Sequence, residues 1–189
     1  MAAHSAQRLQ PRPHEISRQS SNITMNRIVT AISISAVALF ALAQRQPTPA
    51  QAIRNQFAYV NQKVLEMAKD FPEHKYGYKP TKDVRSFGGV IVHIASGNVY
   101  GAKAGRGENV KWDEMDPKEF HGKADIVAVL QKSIDDATAT LKNTPDDRFK
   151  ETLSPWMSIV EHAAEHYGQL VVYYRANGLV PPESRPKSK

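Results

Sequence analysis

The chain has no cysteine. That excludes a disulfide scaffold, a thiolate zinc site, an iron–sulfur cluster, a cysteine nucleophile and a lipidated cysteine. Any metal site must therefore be built from histidine and carboxylate. Strand-like alternation is missing at every length, and there is no internal repeat. There is also no glycine loop of the kind that cradles phosphate, and no Ser/His/Asp arrangement that can be placed on the chain. These absences leave the helical classes and remove the common nucleotide-binding and serine-hydrolase readings.

What is present is a globular composition: 189 residues, 41% hydrophobic and 23% charged, with one domain as the natural organisation. The balance of 25 Lys+Arg against 19 Asp+Glu gives a net charge of +6. Such a balance suggests nucleic acid or an anionic membrane as partner, but the charges sit at the two ends. Arg8, Arg12, Arg18, Arg27 and Arg45 face Glu15 alone in residues 1–52, and Arg185, Lys187 and Lys189 close the chain. The stretch between is nearly neutral, so nucleic acid is not an expected partner.

Met25-Asn26-Arg27 opens a segment of sixteen uncharged residues, 28–43, followed by small-residue pairs at Ala41/Ala43 and Ala50/Ala52. A short basic start, an apolar core and an A-x-A site are the parts of a secretory signal. Sixteen residues make a helix of about 24 Å, short of the roughly 30 Å of bilayer hydrocarbon, so no stable membrane insertion is expected once the signal is cleaved. The expectation is a signal peptide over 25–52, cleaved after Ala43 or Ala52, and export to the periplasm or the extracellular space. Residues 1–24 carry no apolar periodicity and are expected to be a disordered extension, with Met25 as the expected true start.

Four amphipathic segments follow. Ile53, Phe57, Val60, Val64, Met67 and Phe71 step by 4 and 3 along one helical face, which Phe71-Pro72 ends. A second helix is expected from about Val84 to Ala104, capped by Thr81 or Asp83, with Val84, Phe87, Ile91 and Ile94 on one stripe. It also carries Gly88, Gly89, Gly97 and Gly101, which permit close approach by a neighbour. Residues 105–122 are polar and read as a surface loop. The third helix, 124–141, places Val127, Leu130, Ile134, Ala137 and Leu141 in line. The fourth is expected to start at Ser154 as N-cap with Pro155 in its first turn, and to end at Asn177-Gly178. The fold expected is all-α, an up-and-down four-helix bundle over 53–182, with a disordered tail over 183–189.

Among seven histidines, His162 and His166 stand four apart in His162-Ala163-Ala164-Glu165-His166, which places both rings on one helical face about 6 Å apart. The order also matches the H-x-x-E-H of inverted zinc peptidases. Those take a third ligand far downstream, and Glu183 is the one acid after His166, so a peptidase is not expected. His93 is the candidate third ligand, set among apolar residues in mid-helix. The bland alternatives are a hydrogen-bonded core histidine and a solvated pair. Taken together, the three point to a divalent ion held by imidazoles alone, with positions left for solvent or substrate. Glu161 and Glu165 are the residues that could accept from an imidazole N–H behind such a site, with surface charge as the alternative for both; Tyr100, seven residues after His93 on the same helix face, could point toward the site. His74 and His121 lie in turns and are expected on the surface.

Residues 71–80 (Phe-Pro-Glu-His-Lys-Tyr-Gly-Tyr-Lys-Pro), residues 84–88 leading into His93, and above all His162 to Leu170 continuing through Tyr173-Tyr174-Arg175-Ala176-Asn177-Gly178 resemble the DinB-like, or damage-inducible, metal-binding four-helix bundles. The resemblance implies metal ligation by His93, His162 and His166, zinc or nickel as the ion, and frequent homodimers. Relatives of that kind include thiol-dependent transferases and isomerases and metal-dependent hydrolases acting on small molecules. Intracellular thiol cofactors fit an exported protein badly. The function implied is an exported, metal-dependent hydrolase or transferase of unknown substrate, with a non-catalytic metal- or ligand-binding bundle as the alternative.

Overall fold

The six apolar side chains of the first periodic stretch end on one buried face. In the computed structural model, which describes residues 47–186, five of them line the inside of helix α1, Pro49–Asp70, and Phe71 caps its end. The extension over 1–24 and the apolar segment over 28–43 lie outside the described residues. Helix α1 starts four residues earlier than its apolar stripe suggests. The Thr48 side chain accepts the Gln51 N–H while the Gln51 side chain accepts the Thr48 N–H, a reciprocal cap that satisfies two free donors. Pro72 then forces Phe71 into extended backbone and stops the helix.

Helix α2 spans Phe87–Gly105 and is capped by Ser86, whose hydroxyl accepts the Gly89 N–H. The expected caps Thr81 and Asp83 and the apolar Val84 precede it, because a separate turn from Thr81 to Val84 intervenes. Helix α3 spans Lys123–Asn143. Helix α4, Phe149–Ala176, begins well before the expected Ser154, and Pro155 sits inside it. The lost bond to the Glu151 carbonyl is offset by the extra turn, which buries Phe149 and Thr152. Its end is as expected. Gly178, at φ +70°, lets Leu179 N–H reach the Tyr174 carbonyl and Gly178 N–H the Arg175 carbonyl, both at 3.0 Å.

All four described helices pack into a bundle with no strand among the described residues, but the chain does not alternate direction as expected. Arg54 on α1 reaches the Leu141 carbonyl, and Lys123 reaches the Phe71 carbonyl, so α1 and α3 are antiparallel. Phe149 joins Ile53 and Phe57 in one apolar cluster while Tyr174 O–H donates to the Met67 carbonyl, so α1 and α4 are parallel. Gly88 lies against Ile126, and Arg106 reaches Asp136 and Thr140, so α2 and α3 are parallel too. The order is up-down-down-up, with α1 and α2 on one diagonal and α3 and α4 on the other.

Parallel neighbours need a connection that returns the length of the pair. Residues 106–122 make that return alongside α2. The Met115 N–H donates to the Ser96 hydroxyl, and Pro117 comes against Gly89 before a short 3-10 turn, Pro117–Glu119. The expected surface loop is therefore a strap pinned to the bundle.

The core falls into two apolar clusters, one around Phe71, Phe87 and Tyr174 and one around Phe57, Trp156 and Leu141. A buried polar layer joins three helices near their division: Asn98 donates to Asn61 at 2.9 Å, and Ser133 completes it. The chain after Pro181, expected to be disordered from Glu183, makes a 3-10 turn, Pro182–Ser184. Arg185 then forks onto the Asp70 carboxylate at 2.8 and 2.5 Å. Among the described residues no helix is long and apolar enough to cross a membrane.

Candidate metal centre

Helices α2 and α4 cross closely because α2 presents Gly97, Gly101 and Gly105 at successive turns to His162, Ile159 and Trp156. A Cβ at Gly101 would stand 2.5 Å from Ile159, and one at Gly97 would stand 2.7 Å from His162 Nδ1. The missing side chain at Gly97 is what lets the His162 ring come against α2, one turn along from His93.

His93, His162 and His166 come together there. Each offers one ring nitrogen, and the three atoms lie within 4.8 Å of one another. The Nε2 atoms of His93 and His162 face each other at 3.0 Å, and the ring centroids are 4.5–4.7 Å apart. All three residues are partly buried.

The rings are oriented from behind by groups other than those expected. His166 Nδ1 meets the Gln169 side-chain oxygen at 2.7 Å, leaving its Nε2 free. His93 Nδ1 lies 3.0 Å from Glu114 Oε1, although the alignment falls short of a full hydrogen bond. Glu114 is held in turn by Arg85, whose Nε and Nη2 donate to its two oxygens at 3.2 and 2.9 Å. Arg85 is fixed by Tyr173, whose O–H donates to the Arg85 carbonyl at 2.5 Å.

Glu161 and Glu165 are exposed, and among the described residues neither makes a hydrogen bond or ion pair to the histidines. On α4 they are turned to solvent by the rotation that points His162 and His166 inward. Tyr100 is one ring further out than expected. It packs edge-on against Trp112 at 5.9 Å, and it is Trp112 that lies against His93 and His162, at 5.5 and 6.1 Å. His74 and His121 are exposed.

Glu114 and Trp112 are what the sequence reading missed, because both sit on the strap. The available signal was Val110, Trp112, Met115 and Phe120, four apolar side chains spaced through a loop that otherwise reads as polar.

Burial is the largest influence on His93 and His162. It pushes His162 down to about 4, and the neighbouring rings of His166 and His93 add to the effect. His93 is also held below its ordinary value, by burial and then by Arg85, with Glu114 opposing. Burial pushes the Glu114 carboxyl up, but Arg85 and His93 outweigh it and leave it below the usual range. At neutral pH the site therefore presents His93 and His162 as neutral imidazoles beside an ionised carboxylate. Neutral imidazole is the form that ligates a metal.

The residues fit a divalent ion. Three nitrogen donors converge, and two of the rings have their outer nitrogens engaged or approached from behind. A cavity of about 420 Å³ lies elsewhere, between the C-terminal ends of α2 and α3 and the start of α4, and is lined by Arg106, Asp136, Thr140 and Arg148.

Fold and site together define a class: a four-helix bundle with a three-histidine cluster on two antiparallel helices. The family model of the DinB superfamily matches residues 56–173, a span that includes every residue of the cluster, and the chain belongs to that superfamily. No curated protein matches the chain.

Proposed function

We propose that the protein is an exported bundle that holds a divalent ion, zinc or nickel, on His93, His162 and His166 and uses it in hydrolysis or group transfer on a small molecule. The convergence of three ring nitrogens within 4.8 Å is the observation that carries this reading. When bound, such an ion supplies Lewis-acid activation to a donor from solvent or substrate. The chain's own residues do the rest. Gly97 gives His162 room, Gln169 and Glu114 orient the other two rings, and Trp112, itself half exposed, stands edge-on against His93 and His162 on the strap side. Imidazole donors without sulfur suit zinc and nickel better than the hard alkaline-earth ions.

The second reading is a non-catalytic metal- or ligand-binding bundle. It is favoured by the position of Trp112, which stands edge-on against two of the three rings, with Tyr100 packed on Trp112.

Elemental analysis of purified protein beside His93→Ala and His162→Ala tests the ion. The expected result is about one equivalent in the wild type and loss in both variants, and unchanged metal in both overturns the assignment. Activity against a panel of hydrolytic substrates, present in the loaded wild type and absent from the variants, separates the two readings. Export is tested by N-terminal sequencing of the protein recovered outside the cytoplasm.

A further inference from the structure

Glu114 belongs to neither helix that carries the histidines. It stands in the middle of the crossover strap, seventeen residues from one helix to the next, and the chain could make that return along many paths. This path is pinned at three adjacent points. Arg85 forks onto Glu114, Met115 N–H donates to the Ser96 hydroxyl, and Trp112 rests against His93 and His162. The pins bring one carboxylate oxygen to 3.0 Å from the outer nitrogen of His93. That nitrogen is buried and has no better-aligned partner.

An imidazole carries its single neutral proton on one nitrogen or the other, and an acceptor at Nδ1 puts the proton there and the lone pair on Nε2. The lone pair of His93 then faces His162 and the cluster.

We propose that Glu114 is a positioning residue: from the strap it sets His93 in the Nδ1–H tautomer, with Arg85 holding the carboxylate in place, so that Nε2 is presented for coordination. The inference rests on the metal reading above only for its consequence. The tautomer itself belongs to the protein without metal.

The experiment has two independent readouts. Long-range 15N–1H correlation on the metal-free protein reports which nitrogen of His93 carries the proton. The expected result is Nδ1–H in the wild type and in Glu114→Gln, whose amide oxygen still accepts, and a mixture of tautomers in Glu114→Ala. Competition with a chromophoric chelator measures zinc affinity. The expected loss is about 10- to 100-fold in Glu114→Ala and less in Glu114→Gln and Arg85→Gln, with Glu165→Gln unchanged. Nε2–H in the wild type, or wild-type zinc affinity in Glu114→Ala, overturns the proposal. A wild type that takes up no zinc overturns the metal reading, while the tautomer still decides the role of Glu114. If Glu114→Ala does not fold, the wild-type spectrum and Glu114→Gln carry the test.

Discussion

At the residue scale, the site is governed by what stands beside each ring. Gly97→Ala would place a methyl group 2.7 Å from His162 Nδ1, closer than real Cβ contacts come, so the ring must turn or the helices must part. The expected outcome is a retained helical spectrum with zinc affinity reduced at least tenfold, on the order of the loss seen when a ligand's support is removed. His162 also makes the metal-free protein sensitive to acid. Its folded value is about 4 against 6.5 ordinarily. Between those limits the unfolded chain binds a proton that the folded one does not. Stability therefore rises with pH across the window and is lost as pH falls through it. Urea midpoints of chelator-treated protein are expected to drop from pH 7 to pH 4.5, and His162→Gln should show a shallower drop. Equal slopes in the two proteins would contradict this origin.

At the element scale, the helix ends decide how the first and last helices begin. The Thr48–Gln51 cap and the buried Ala50 make residues 48–52 part of the folded unit. Thr48→Ala is expected to lower stability by about 1 kcal/mol, read from denaturant midpoints. The same geometry distinguishes the two candidate cleavage points. Processing after Ala52 would remove the cap and Ala50, whereas processing after Ala43 leaves both. On the export proposed above, the mature protein is expected to begin at Gln44, and a start at Ile53 in a protein of full stability would refute that. Pro155 is the opposite case, a residue that weakens the helix it sits in. Pro155→Ala restores a donor for the Glu151 carbonyl and is expected to raise stability by roughly 1 kcal/mol or more.

At the scale of the whole molecule, the direction of the chain has the largest consequence. With α2 and α3 parallel, the link between them must travel about 28 Å back along α2, and seventeen residues are ample for it. The surplus is what reaches the histidine cluster. Replacing residues 109–114 by a glycine–serine segment of equal length should leave the bundle folded, with thermal unfolding shifted by only a few degrees. Zinc affinity should fall as far as in Glu114→Ala. A loop-swapped protein with wild-type affinity would show that the strap is only a connection. The bundle between the two basic ends is close to neutral, so the overall charge of +6 carries no argument for a polyanionic partner.

Much of this was legible from the chain alone. Periodicity in steps of 3 and 4 marks the inward face of α1 and most of that of α3, where Val127 and Ile134 are half-buried and Ile126 is buried instead, and the spacing of His162 and His166 marks them, with mid-helix His93, as one cluster. Those signals are local, arising from side chains within one or two helical turns of each other. The start of α4 was misread because Ser154-Pro155 is a good local cap, and only the burial of Phe149 against α1 and α3 outweighs it. Glu161 and Glu165 were named as supports because they adjoin the histidines in sequence, whereas on a helix adjacent residues point apart. The supporting groups are Gln169, three residues beyond His166 on the same helix, and Glu114, Arg85 and Gly97, from the strap, a turn and a facing helix. Sequence by itself determined which helices form and which side chains can ligate. Tertiary structure alone decided that two neighbouring helices run parallel, and that reversal sent a polar loop across the site to deliver a carboxylate to a histidine.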